Sequence, residues 1–207
     1  MTRFPLGAIA TSAALALSAC NAADNGARGG EPERQLAAAT VAADVGTVER
    51  LLAAGADPNK MAAYEGHYQS PWKLALHQVR PGRADLLEII QAMLKAGASP
   101  TVAWGQAPSL RSGGYTTQRH APMSDAVLYS APDVARALMA AGLGPRFAET
   151  DLILAIENGQ TEIVHVLVEA GVDVNSHRAS TPLVAAIDAR NLALMTYLEE
   201  HGAREKP

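Results

Sequence analysis

The sequence lacks the residues from which most cross-linked and catalytic sites are built. Its 207 residues include a single cysteine, Cys20, so neither an internal disulfide nor a cysteine-based zinc site can be assembled. The six histidines form no HxxxH or HxxEH pair, and no nucleophile elbow, phosphate-binding glycine loop or paired-carboxylate site is present. We therefore expect no enzyme, no metal site and no cofactor.

Aromatic residues and charge are also sparse. Aromatics are 4% of the chain, charged residues are 18%, and the net charge is −4 at pH 7. A slightly acidic chain gives no reason to expect a nucleic-acid partner. Apolar residues are 48% of the chain, which is enough for a core of small aliphatic side chains. No small-molecule ligand is expected. The distant alternative, a carrier of a small amphiphile, would require an apolar cavity.

The N-terminal 20 residues have the pattern of an export signal. Arg3 is followed by an apolar run, Leu6 to Leu17, that is too short to span a membrane as a mature helix. The run ends in Leu17-Ser18-Ala19-Cys20, which resembles the bacterial lipobox. The resemblance implies a signal peptide over residues 1–19, acylation of Cys20, and membrane attachment through that lipid. Asn21 then implies the outer membrane, facing the periplasm. The alternative is a secreted protein with a free N-terminal cysteine.

Residues 20–33 lack bulky apolar side chains and include three glycines, so they are predicted to form a flexible tether. A regular interval then organises residues 34–207. Helix starts at 122, 151 and 182 are each followed 20 residues later by a glycine, at 142, 171 and 202. The unit from Pro71 to Gly97 is longer, and Gly55 closes a first unit. Each unit carries apolar stripes too small to be buried alone, which is typical of a solenoid.

Particular motifs in these units resemble the ankyrin repeat. They are Thr181-Pro182-Leu183 with Ala185-Ala186, the Ile163-Val164…Leu167 spacing, and Gly55-Ala56-Asp57…Asn59. The resemblance covers about residues 34–204 and implies an all-α solenoid of about five helix-turn-helix repeats that binds another protein. The histidine of the family's TPLH motif is missing. Its place is taken by four other residues, Lys73, Ser124, Ile153 and Val184.

Two extended inter-repeat loops are the most distinctive feature of the predicted solenoid. The intervals from closing glycine to next helix start are 16 and 25 residues for the first two connections, against 9 and 11 for the last two. Loops of this length in a compact array are usually functional or disordered. Five of the eight aromatics that follow Cys20 lie between residues 64 and 115. Such residues are typical interface anchors.

Charge is segregated in the same direction as the aromatics. Residues 60–122 contain seven Lys or Arg and three Asp or Glu (+4), whereas residues 149–207 contain four and ten (−6). A partner with an acidic surface is therefore predicted to bind the loop-bearing half, although chance clustering on a solvated surface would give the same count. The candidate partner-binding residues are Tyr64, Tyr68, Trp72, Trp104, Arg111, Tyr115 and Arg119.

Two of these candidates have competing interpretations. Trp72 directly follows Pro71 and could equally pack under the loop. Trp104 has no helical or strand periodicity around it, which favours an interface over the core. The function predicted from the sequence is that of an exported, lipid-anchored interaction protein of the cell envelope, acting as a scaffold or accessory factor for an envelope enzyme. The alternative is an immunity or inhibitor protein that neutralises a toxin acting in the periplasm.

Overall fold

A computed structural model describes residues 29–108, 115–176 and 181–204. Within these ranges ten α-helices form five consecutive helix-turn-helix pairs. The pairs are α1 (Glu31–Val41) with α2 (Val45–Ala53), α3 (Pro71–His77) with α4 (Ala84–Lys95), α5 (Pro122–Leu128) with α6 (Pro132–Ala140), α7 (Glu149–Glu157) with α8 (Thr161–Glu169), and α9 (Pro182–Asp188) with α10 (Leu192–Glu200). A short 3₁₀ turn, Pro145–Phe147, precedes α7.

The pairs stack into two layers of helices. The first helices pack in the order α1, α3, α5, α7, α9, and the second helices α2, α4, α6 and α8 pack beside them. One continuous apolar core runs between the layers, and the predicted stripe of Ile163, Val164 and Leu167 is almost completely buried in it. No helix in the described ranges combines the length and hydropathy required to cross a membrane. The predicted all-α solenoid of five repeats is confirmed.

Local capping explains why the helices start and stop where they do. Ser70 Oγ accepts a hydrogen bond from Lys73 N at 3.1 Å, and Thr181 Oγ1 accepts one from Val184 N at 3.3 Å. Each cap is followed by a proline at the first helical position, which suits its fixed φ. Gly171 has φ +84°, the left-handed conformation in which a side chain would be strained, so it ends its repeat as predicted.

Asparagine side chains connect neighbouring repeats in both halves of the solenoid. Asn59 Nδ2 donates to Gly97 O at 2.9 Å, and Asn59 Oδ1 accepts from Ser99 N at 2.9 Å. Asn175 Nδ2 donates in the same way to Gly202 O at 2.9 Å. The closing glycine of one repeat is thus held by the asparagine that ends the repeat before it.

The predicted start of the repeat domain at residue 34 is corrected by the structure, because α1 begins at Glu31. Glu33, predicted to lie in the tether, is 7% exposed. Its carboxylate accepts hydrogen bonds from Gly30 N at 2.6 Å and from Asp57 N at 3.2 Å. A buried, satisfied carboxylate therefore joins the first turn of α1 to the chain that follows α2. Helix α7 likewise begins two residues before the predicted start at Asp151.

The two extended loops form a sheet that the sequence did not predict. The first contributes β1 (Ala62–Tyr64) and β2 (His67–Gln69), and the second contributes β3 (Ala103–Pro108) and β4 (Tyr115–His120). The order is β1-β2-β3-β4, all antiparallel, and Gln69 pairs with Gly105 where the loops meet. Trp104 lies in β3, which is defined by backbone pairing although the sequence around it shows no strand periodicity. We call β1–β4 the loop sheet.

Candidate functional site

One face of the loop sheet lies against the first helices of the solenoid. Strand β1 contacts α1 and strand β3 contacts α3. Ala62 and Ala103 are buried in this contact. A Cβ atom on Gly105 would lie 3.5 Å from Lys73 Cγ and 3.8 Å from His120 Nε2. The backbone of β3 therefore passes directly over Lys73, and the helices fix the orientation of the sheet.

Strand register places most of the predicted binding residues on the opposite face. Trp104 pairs with Arg119 and Pro108 pairs with Tyr115, so these residues share one face. Because residues alternate along a strand, that face is the one away from Gly105 and the helices. Tyr68 precedes Gln69, the partner of Gly105, and so belongs to the same outer face. The outer face is therefore defined by four of the predicted residues, Tyr68, Trp104, Tyr115 and Arg119.

Two of the other three predicted residues, Tyr64 and Trp72, lie elsewhere. Tyr64 pairs with His67 and lies on the Gln69 side of the sheet, where it is half-buried. Trp72 is completely buried, and its Nε1 donates to Ser99 O at 2.9 Å. The packing interpretation of Trp72 is therefore the correct one, because the second residue of α3 points into the core and fastens the base of the second loop. Arg111 lies outside the described residues.

The charge segregation seen in the sequence is smaller at the loops than the count for residues 60–122 suggests. Lys73 Nζ lies 3.3 Å from Asp125 Oδ2, and Arg83 is paired with Asp85. Counting only residues 60–70 and 99–121 leaves three basic residues and one acidic residue (3 − 1 = +2), namely Lys60, Arg111, Arg119 and Glu65. Arg119 is the exposed cation on the outer face of the described sheet.

Beneath the sheet, polar side chains occupy two of the positions where the TPLH histidine is missing. The Lys73 side chain is 1% exposed and reaches Asp125 of the next repeat. Ser124 Oγ donates to Asp151 Oδ1 of the following repeat at 2.6 Å. Both hydrogen-bonded pairs join neighbouring repeats, and both start from a position where the TPLH histidine is missing. Sequence reasoning noted Lys73 and Ser124 as departures but missed Asp125 and Asp151. A lysine at a core position of α3 was the available signal that a buried acid must be close.

Burial shifts the pKa values of several of these polar side chains and of two nearby histidines. Desolvation lowers the pKa of Lys73, and the charge of Asp125 opposes that shift. Burial raises the pKa of Asp151, partly offset by the hydrogen bond from Ser124, and the charge of Asp125 raises it further. His120 lies edge-on to His77, with ring centroids 6.0 Å apart. Burial and then the charge of Lys73 lower the pKa of both imidazoles.

The outer face of the loop sheet thus combines aromatic residues with an exposed arginine. In the parts of the chain that the structure describes, no group of three or more His, Cys, Asp or Glu side chains could hold a metal ion. Residues 123–206, which contain nearly all of α5 to α10, match the family model for ankyrin repeats in three copies. The fold is an ankyrin-repeat solenoid. No curated protein matches the chain.

The family match covers three of the five helix pairs, and the remaining two pairs extend the same stack toward the N-terminus. Ankyrin repeats mediate protein–protein interaction, and proteins built from them are generally not enzymes. The repeats of this solenoid that lie outside the match are the ones that carry the loop sheet. The loop sheet is therefore the feature that distinguishes the described part of this chain from a regular ankyrin array.

Proposed function

We propose that this protein is an exported, lipid-anchored ankyrin-repeat protein that binds an acidic protein partner in the bacterial cell envelope. In this proposal the partner is an envelope enzyme that docks on the outer face of the loop sheet. The repeat protein acts as a scaffold that holds this enzyme near the membrane. The observation that carries it is the placement of Tyr68, Trp104, Tyr115 and Arg119 on one face of a sheet braced by helices. Tryptophan, tyrosine and arginine are the residue types enriched at interface hot spots.

A matched pair of charge reversals tests the docking face. Arg119 lies on the loop sheet, whereas Lys95 is an exposed cation at the end of α4, among the second helices. We expect Arg119→Glu to abolish capture of the partner from envelope extract, because it places a carboxylate against an acidic surface. Lys95→Glu makes the same change in net charge and should leave capture intact. Equal loss with both variants would mean that only net charge matters and would contradict the proposed face.

Lipid attachment is tested at Cys20. The thiol is the only atom in the chain that could carry the diacylglyceryl group implied by the lipobox, because no other cysteine is present. We expect Cys20→Ser to leave uncut precursor and to stop incorporation of labelled palmitate. Ser18→Ala, two residues before the cysteine, is the control and should be processed normally. Membrane attachment and palmitate labelling that persist in Cys20→Ser would refute the anchor.

A second role, inhibition of an incoming toxin, is favoured by the shape of the second loop. Strands β3 and β4 each contain six residues, which at roughly 3.3 Å per residue gives a hairpin about 20 Å long. A hairpin of that length is suited to entering a cleft. Co-expression with an envelope-acting toxin distinguishes the two roles. An inhibitor restores growth and an Arg119→Glu variant does not, whereas a scaffold has no effect on survival.

A further inference from the structure

The two edge strands of the loop sheet, β1 and β4, differ in the contacts made on their outer sides. At the β1 edge, Gly29 N donates to Met61 O at 2.7 Å, and helix α1 packs against the strand. At the other edge, β3 is the partner of β4, and no further strand pairs with β4 in the described ranges. The next inter-repeat connection contains a single 3₁₀ turn, Pro145–Phe147, instead of a hairpin. Strand β4 therefore has one side on which no described strand pairs.

The sequence of β4 lacks the features that normally protect an exposed edge. Strand β4, YTTQRH, has neither proline nor glycine, and its single full charge, Arg119, lies next to its end. Threonine and tyrosine favour extended structure. Natural sheets protect such edges with lysine, proline, a bulge or a very short strand, because unpaired N–H and C=O groups recruit another chain. Six residues give about 20 Å of pairing length.

We propose that β4 accepts an extended acidic segment of the protein partner as a fifth strand of the loop sheet. This inference rests on the proposed function and specifies how the partner is held. Backbone hydrogen bonds along β4 supply the attachment, and a carboxylate opposite Arg119 supplies the preferred register. A second copy of this chain is disfavoured as the occupant, because the two loops carry a net charge of +2 and pairing two copies would bring like charges together.

A synthetic peptide serves as the probe, because it separates charge from strand pairing. The probe is a ten-residue peptide of alternating threonine and glutamate, and its control carries N-methyl groups on consecutive central nitrogens. Both peptides have the same charge, but the control cannot donate a continuous row of hydrogen bonds on either edge. Binding is measured by fluorescence anisotropy on the purified protein, and amide hydrogen exchange is followed at residues 115–120.

We expect the unmethylated peptide to bind and to slow exchange in β4, and the methylated peptide to bind at least about tenfold more weakly. An alternating threonine and lysine peptide should bind less well than the glutamate peptide, and Arg119→Glu should reverse that preference. Equal affinity of the methylated and unmethylated peptides, protection confined to residues outside β4, or no binding at about 1 mM peptide would each overturn strand addition.

Two further results separate this inference from the proposed function. If Arg119→Glu abolishes partner capture but N-methylation does not change the affinity of the peptide, the docking face is supported and the addition of a fifth strand is rejected. Protection of β4 without peptide, with a mass that doubles as protein concentration rises, would identify a second copy as the occupant and reject the acidic segment. Loss of capture by Lys95→Glu to the same degree would reject the proposed function itself.

Discussion

The N-terminal and C-terminal halves of the solenoid place different side chains at the same position of the repeat. In the last two repeats the TPLH histidine position is occupied by Ile153 and Val184, and the preceding connections are short. In the second repeat the same position holds Lys73, buried under β3 and paired with Asp125. The comparison shows that a buried cation is accommodated where the next repeat supplies an acid and an extended loop passes over the lysine. The regular half needs neither.

The largest expected effect comes from removing one member of the buried pair. Lys73→Ala leaves Asp125 buried without its cation and should cost about 3–5 kcal/mol of the free energy of unfolding. Val184→Ala, at the equivalent position of the last repeat, is the control. Because Val184 is 41% exposed, its truncation should cost less than about 1 kcal/mol. Urea denaturation measures both.

A double variant sharpens the same comparison. Lys73→Met with Asp125→Leu replaces the pair by apolar side chains of similar size and imitates the C-terminal half. Replacing both members of a buried ion pair is often neutral or stabilising by about 1–4 kcal/mol. We therefore expect the double variant to recover most of the stability lost by Lys73→Ala. A double variant as unstable as the single one would show that the loop sheet requires the charges themselves.

Both halves end their repeats with a glycine in the left-handed conformation, and replacing these glycines tests whether their contribution is the same. Gly97 and Gly171 have φ +94° and +84°, and a Cβ on either would meet no atom within 4 Å. Their replacement by valine should therefore cost only the backbone strain, about 1–3 kcal/mol, and by similar amounts in both halves. Gly46→Ala within α2 is the control and should stabilise by up to about 1 kcal/mol. Thermal unfolding that leaves Gly171→Val unchanged would contradict the role assigned to this glycine.

The hydrogen bonds of Asn59 and Asn175 should contribute equally to the free energy of unfolding in the two halves. Asn59→Ala and Asn175→Ala each remove a side chain that bonds the closing glycine of the next repeat. We expect about 0.5–1.5 kcal/mol of destabilisation for either, because the hydrogen bonds to the closing glycines are exposed and water can replace the lost partner. Chemical denaturation should give matching losses. A loss confined to Asn59 would indicate that only the loop-bearing half depends on these links.

The smallest effect is a change in pH dependence at Asp151. Its pKa is raised by burial, so its contribution to stability is complete below the unfolded value of 3.8 and is lost as pH rises through the folded pKa. Asp151→Asn removes that loss and retains an oxygen that can accept from Ser124. The stability of the variant relative to the natural protein should therefore increase as pH rises from 3.5 to 7.

Asp133→Asn, which makes the same substitution at an exposed position of α6, is the control for this measurement. Urea midpoints measured at half-unit pH intervals give both curves. A relative stability of Asp151→Asn that falls with rising pH would show that the carboxylate is stabilised in the folded state, against the effect of its burial.

The features of the fold that could be predicted from the sequence are those that depend only on residues close together in the chain. The start of α9 and the end of α8 follow from Thr181-Pro182 and Gly171, because caps and left-handed turns depend on a few adjacent residues. The burial of Lys73 depends on Asp125, 52 residues away, and could not be derived locally. The loop sheet likewise depends on Gln69 meeting Gly105 in another loop. The sequence could not decide whether Trp72 packs in the core or binds a partner, for the same reason. Its indole donates to the carbonyl of Ser99, which is distant in the chain.

The hydrogen bond from Gly29 to Met61 determines where a mechanical load would reach the solenoid. Force applied along the chain from the N-terminal side of Gly29 is shared between Met61, at one border of the β layer, and α1, which begins two residues after Gly29. Strand β4 lies at the opposite border, with two strands between it and β1. A protein restrained through its leading segment would thus present β4 on the side farthest from the restraint.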